Sequence, residues 1–118
     1  DEHIVFAGRV SAATKHKLPA AARGFIFCSI EDFGIAPVEA MACGTPVLAL
    51  RGGGLSETVV AGRTGVFFDR PEVADLVQAM KSLEKTTWSA KSIRHQAARF
   101  SPEKFRREFR DAVRQVLK

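Results

Sequence analysis

An α/β fold, with a parallel sheet of about four strands flanked by helices and finished by C-terminal helices, follows from three features of the sequence. Four short apolar runs, Ile4–Ala7, Phe25–Cys28, Val47–Leu50 and Val66–Phe68, have the length and continuity of buried parallel strands. Each is followed by a segment that can be helical, the alternation a parallel sheet requires. The connections are compact, with Gly and Pro at the turns, no Ser- or Pro-rich linker and no internal repeat, so the 118 residues are expected to form one domain.

Taken in order, Ile4–Ala7 is the first expected strand and runs into the loop Gly8–Ser11. The second, Phe25–Cys28, leaves through the polar stretch Ser29 to Phe33 into a short helix, residues 36 to 43. Pro37 suits its first turn, where a missing N–H costs nothing, and Gly44 suits the left-handed position that ends it. Val47–Leu50 leads into the turn Gly52-Gly53-Gly54, and Gly62 to Gly65 leads into the fourth strand. Beyond Asp69, residues 72 to 84 place Val73, Leu76, Val77, Met80 and Leu83 on one helical face, and 89 to 99 continue with Ile93, Ala97 and Ala98. Pro102 opens a last helix whose stripe of Phe105, Phe109, Val113, Val116 and Leu117 is expected to be covered by the core. Arg106, Arg107, Arg110, Arg114 and Lys118 lie mostly off that stripe.

The segment Glu31 to Val47 carries the chemistry. Two carboxylates, Glu31 and Glu39, stand eight positions apart around a helix start, with Glu31 on a loop at the carboxyl end of a strand and Glu39 in the first helical turn. Gly34 allows close backbone approach to a ligand, and the free N–H groups of a helix start suit phosphate. A carboxylate beside a phosphate site needs another purpose, and accepting hydrogen bonds from a pair of sugar hydroxyls, such as those of ribose, supplies one. Acidic residues also occur in first turns simply because they suit the helix dipole, so Glu39 alone defines no site.

The whole segment resembles the signature of the retaining glycosyltransferases of family 4. It reads Glu31, Phe33-Gly34, Glu39-Ala40-Met41-Ala42, Gly44 and Pro46-Val47. Further matches follow in order: Val5-Phe6-Ala7-Gly8-Arg9-Val10 upstream, then Gly52-Gly53-Gly54-Leu55-Ser56-Glu57 and Gly62-Arg63-Thr64-Gly65-Val66. Ala98 to Phe105 resembles the closing helices of a subgroup that includes mannosyltransferases of bacterial polysaccharide assembly.

The resemblance implies one half of a GT-B fold, whose two Rossmann-like domains face a cleft. It implies that Glu31 faces the donor sugar as the catalytic residue. Asp32, Phe33, Gly34 and Ile35 would bind donor hydroxyls or phosphate, and Glu39 would hold the nucleotide ribose. Arg9, Val10 and Ser11 would border the base, although Ser11-Ala12-Ala13 offers no carboxylate of the kind some relatives use to read guanine. Gly53 and Gly54, at the carboxyl end of a strand, would line the cleft. The proline usual before the motif serine is replaced by Cys28, which reads as a packing change.

The implied activity is transfer of a hexose, mannose favoured, from a nucleoside diphosphate sugar to an acceptor hydroxyl in polysaccharide or glycolipid synthesis. No cofactor and no metal are expected, the nucleotide sugar being substrate. A non-catalytic or self-associating fragment, and a sugar-nucleotide epimerase of related fold, are the alternatives. The resemblance further implies a longer parent with an N-terminal acceptor-binding domain and two more sheet strands lying between Ile4–Ala7 and Phe25–Cys28, so that this chain alone is expected to be inactive. An unpaired sheet edge then leads to one of two expectations: the first strand pairs directly with the second, or two copies associate as a homo-oligomer.

Net charge is +5, and Lys and Arg outnumber Asp and Glu between Lys91 and Lys118. Solvated helix faces account for this, because acidic residues interrupt every basic tract. Peripheral contact of a basic amphipathic helix with anionic lipid is the second reading. Nucleic acid is excluded as a partner, since no binding motif or tyrosine is present and the aromatic residues sit at core spacings. Cys28 and Cys43 fall on an expected buried strand and helix without metal-ligand spacing, which suits reduced thiols in a cytoplasmic protein, at or near the inner face of a membrane. His3, His16 and His95 are scattered singly, and no transmembrane run exists.

Overall fold

A computed structural model describes all residues, Asp1–Lys118. Three strands, β1 (Phe25–Phe27), β2 (Val47–Leu50) and β3 (Gly65–Phe68), form a parallel sheet in the order β1-β2-β3. Six helices accompany them: α1 (Ala12–Ala21), α2 (Ile35–Ala42), α3 (Leu55–Thr58), α4 (Val73–Lys85), α5 (Ala90–Ala98) and α6 (Pro102–Val116).

All four residues of β2 are buried, and the alternation of a strand sends them to opposite faces. Val47 and Ala49 join Ala40 and Met41 of α2, Leu55 of α3, and Ile93 and Ala97 of α5 in one cluster. Leu48 and Leu50 join Phe68, Ala79 and Leu83 beneath α4 in the other. Three layers result, with the larger core on the α2 and α5 side. Trp88 packs against both clusters and donates its indole N–H to the Leu83 carbonyl at 2.9 Å. Met41, Leu55 and Ile93 are fully buried, so truncating any of them to Ala costs about 2–5 kcal/mol.

Four expectations are corrected. Ile4–Ala7 is no strand: Val5 and Phe6 are 83% and 95% exposed. A strand exists only with a neighbour to satisfy its N–H and C=O groups, and α1, which buries no residue and contains Pro19, does not draw the segment onto β1. Second, α4 buries Ala79 and Leu83, whereas Val73, Val77 and Met80 are exposed. The helix packs chiefly on β2 and β3, and beside it a groove of about 410 Å³ is lined by Ile26, Leu48, Met80 and Leu83. Third, Ala98 is exposed while Gln96 is buried, its Nε2 donating to the Thr58 carbonyl at 3.0 Å.

Fourth, α6 buries nothing. Ser101 caps it, accepting from the Lys104 N–H at 3.2 Å, and Pro102 opens it as expected. The stripe Phe105, Phe109, Val113, Val116 and Leu117 nevertheless faces outward, and the molecule is elongated at 59 × 32 × 25 Å. No helix is long and apolar enough to cross a membrane.

Candidate functional site

The carboxyl end of β1 opens into the loop Cys28–Gly34. Gly34 takes the left-handed conformation (φ +84°), turning the chain sharply into α2, and Gly44 (φ +84°) ends that helix as the sequence predicts. α2 begins one residue earlier than expected, at Ile35, so Glu39 falls in its second turn rather than its first. No side chain caps this helix, and the main-chain N–H groups of Phe33, Gly34 and Ile35 have no acceptor in the protein. They lie at and just before the N-terminus of α2, the positive end of a helix, where free N–H groups suit phosphate and other anions. Glu31, Asp32 and Phe33 are exposed around them.

The glycine-rich turn after β2 supports this loop from behind. Gly54 donates its N–H to the Glu31 carbonyl at 2.7 Å. A Cβ at Gly54 would lie 2.5 Å from the Phe33 Cα and would also collide with the Asp32 carbonyl. A Cβ at Gly53 would strike the Glu31 carbonyl, and one at Gly34 would lie 2.5 Å from Leu55 Cδ1. Backbone therefore crosses backbone here with room for hydrogen atoms only. The reading of this turn as cleft lining is corrected for Gly54, which is buried beneath Asp32 and Phe33, while Gly53 is exposed at the rim. Cys28 is also exposed, one residue past β1, so its side chain serves no core packing.

Glu39 faces a second feature, a notch of about 210 Å³ between α1 and α2. Val10 and Glu39 line it together, with Leu18, Pro19, Phe25 and Ala36 as apolar walls. Arg9 is exposed beside it, and the Ser11 hydroxyl is turned to its own helix, accepting from the Thr14 N–H at 3.2 Å. Sites for drug-sized ligands run to about 300–1,000 Å³, so this notch suits one moiety, such as a base or ribose, rather than a whole sugar nucleotide. Lys15, which sequence reasoning passed over, contributes here: its Nζ lies 3.0 Å from Glu39 Oε2. The only signal for it was its place one turn into the helix that follows the Arg9–Ser11 loop. The pair is partly open to solvent, so it orients the carboxylate more than it stabilises the fold.

A parallel sheet flanked by helices, with a glycine-turned helix start at the carboxyl end of β1, is the architecture of an α/β domain, and here the class is GT-B. Sucrose-phosphate synthase from Thermosynechococcus elongatus matches 98% of this chain and 31% of its own with a TM-score of 0.82 at 28% identity. The family description "Glycosyl transferases group 1" matches residues 1–100, and the chain belongs to that family. A GDP-mannose-dependent alpha-(1-6)-phosphatidylinositol monomannoside mannosyltransferase of Mycolicibacterium smegmatis is 36% identical over 70% of this chain and 24% of its own length. A D-inositol 3-phosphate glycosyltransferase of Pseudarthrobacter chlorophenolicus is 49% identical over 45% of this chain and 13% of its own length. The alpha-1,3/1,6-mannosyltransferase alg-2 of Neurospora crassa is 40% identical over 68% of this chain and 17% of its own. The chain thus spans a quarter or less of the length of these curated relatives.

Proposed function

We propose that the chain is the donor-binding part of a retaining hexosyltransferase that moves a hexose, mannose favoured, from a nucleoside diphosphate sugar to an acceptor hydroxyl. The observation that carries this is the uncapped start of α2, with its free Phe33, Gly34 and Ile35 N–H groups, set between Glu31 and Glu39. Those N–H groups bind the diphosphate and stabilise its charge as the bond to the anomeric carbon breaks. Glu31 orients the sugar and faces the positive charge developing at that carbon. Glu39, held by Lys15, accepts hydrogen bonds from the two ribose hydroxyls in the notch that Val10 shares. Two relatives named as mannosyltransferases, one of them GDP-mannose-dependent, support mannose as the transferred sugar. The 118 residues bind the donor and rely on the remainder of a longer chain for the acceptor and for turnover.

Calorimetric titration with GDP, UDP and ADP tests the reading. One base is expected to bind in preference, and Glu39→Ala to weaken that binding by about tenfold or more, the worth of a charge-assisted hydrogen bond. Equal affinity in wild type and Glu39→Ala, or a folded chain that binds none of the three, overturns it.

A further inference from the structure

We propose that Phe100, in the turn between α5 and α6, is a positioning residue for the donor loop, acting through Phe33; the proposal rests on that loop being the donor site. The two rings meet edge to face, centroids 5.7 Å apart and planes at 67°, the geometry in which aromatic pairs attract beyond their buried area. They differ in how they are held. Phe33 sits on an exposed loop whose N–H groups at residues 33 to 35 bond to nothing in the protein. Phe100 stands on a fixed base: its own N–H donates to the Ala97 carbonyl at 3.0 Å, and the following Ser101 N–H to the Ala98 carbonyl at 3.3 Å.

That base is anchored in the core by Ile93 and Ala97 and by Gln96, whose Nε2 reaches the Thr58 carbonyl in α3. Arg99 adds to this base, its guanidinium carbon 6.0 Å from the Phe100 centroid and its Nη1 donating to Gln96 Oε1 at 3.3 Å. The direction of control therefore runs from the buried helix to the loop. With Gly54 beneath the loop and Phe100 beside it, the Phe33–Ile35 donors are fixed in place before a ligand arrives, which lowers the ordering cost of binding.

The Gly54 amide, bonded to the Glu31 carbonyl, reports whether the loop is docked, and the Val47 amide, bonded to the Thr64 carbonyl at 3.0 Å beside the central strand, reports opening of the whole fold. Hydrogen exchange at both is measured in wild type, Phe100→Ala, Phe100→Leu and Phe100→Tyr. Exchange at Gly54 is expected to accelerate by about tenfold in the Ala and Leu variants. It should return to the wild-type rate in Phe100→Tyr, which keeps the ring; Val47, whose global opening breaks the same contact, should exchange more slowly than Gly54 in wild type and accelerate by a similar factor in the Ala and Leu variants. A Gly54 amide that is unmoved while Val47 accelerates, or one wild-type rate shared by both amides, which would mean that the loop does not open by itself, overturns the proposal. Phe100→Leu, which retains apolar volume, keeps the test open if Phe100→Ala fails to fold. The readout needs no nucleotide, so its failure is separate from a failure of the donor reading, which the Glu39→Ala titration detects.

Discussion

Gly54→Ala isolates the contact between the glycine-rich turn and the Glu31 loop. Gly54 has φ −63° and ψ −26°, which alanine adopts freely, so backbone conformation does not penalise the change. Restricting the unfolded chain would by itself favour the variant by about 0.4–1 kcal/mol. The new methyl, however, would lie 2.5 Å from the Phe33 Cα and O, where 3.0 Å is the closest that such atoms come. The loop and α3 must part by about half an ångström or more, an overpacking cost of about 1–3 kcal/mol, and the 2.7 Å bond from Gly54 to Glu31 weakens with it, adding about 1 kcal/mol. The expected net loss is about 1–3 kcal/mol, seen as a fall of about 1 M in the urea midpoint at unchanged slope. Gly24→Ala is the control. Its methyl would meet only Leu83 Cδ1 at 2.9 Å and Leu48 Cδ1 at 3.0 Å, the ends of side chains that can rotate away, so its midpoint should fall by less. A Gly54→Ala midpoint at or above wild type would refute the account of why glycine stands there.

Two further outcomes follow from burial. The Thr58 hydroxyl is buried with no hydrogen-bond partner, so Thr58→Val removes an unpaid desolvation of about 1 kcal/mol and should raise Tm by about 4 °C; a lowered Tm would mean that the hydroxyl has a partner in solution. Phe109 is 60% exposed on α6, so Phe109→Gln should shift the urea midpoint by no more than about 0.5 kcal/mol is worth. A buried phenylalanine truncated to alanine loses about 3–5 kcal/mol, and a loss of that order at Phe109 would show the stripe to be covered, with a dependence on protein concentration if a second copy covers it.

What the sequence made legible depended on whether each element's partner lies within the same residues. Val47–Leu50 is an unbroken apolar run buried on both faces, and β2 occupies those four positions. Ile4–Ala7 has the same character without a neighbour to pair with, and the apolar pattern of a strand contains no information about whether its neighbour is there. The stripe on α6 likewise specifies which face seeks cover without specifying what supplies it. Gly44 was readable because the end of a helix by itself demands a left-handed residue there, whereas Gly34 was read only as allowing close backbone approach to a ligand, and its left-handed turn into α2 is a finding of the structure. Gly54 was recognisable as part of a turn, but the requirement on it comes from a loop more than twenty positions away, a tertiary demand that spacing cannot express. Lys15 and Phe100 were invisible for the same reason, since each matters through one long-range contact.

Almost nothing in the Glu31 loop holds the loop itself. Its carbonyl at Glu31 is bonded by Gly54 from the turn that follows β2, its ring at Phe33 is met by Phe100 from the end of α5, and the donors it presents are unbonded within the protein. The geometry of the Glu31 loop is therefore a consequence of docking β2, α3 and α5, and it cannot be formed by the signature segment as a peptide. Docking and binding then draw on the same contacts: a ligand that engages the Phe33–Ile35 N–H groups favours the docked loop, and through Gly54 and Phe100 it favours the packed core behind it. A nucleotide present at a hundred times its dissociation constant would add about 2.7 kcal/mol to the stability of the fold, comparable to the expected effect of Gly54→Ala. Substitutions that loosen the loop should accordingly weaken binding and stability together, whereas loss of Glu39, whose pairing with Lys15 is partly solvated, should weaken binding while leaving the fold nearly as stable as before.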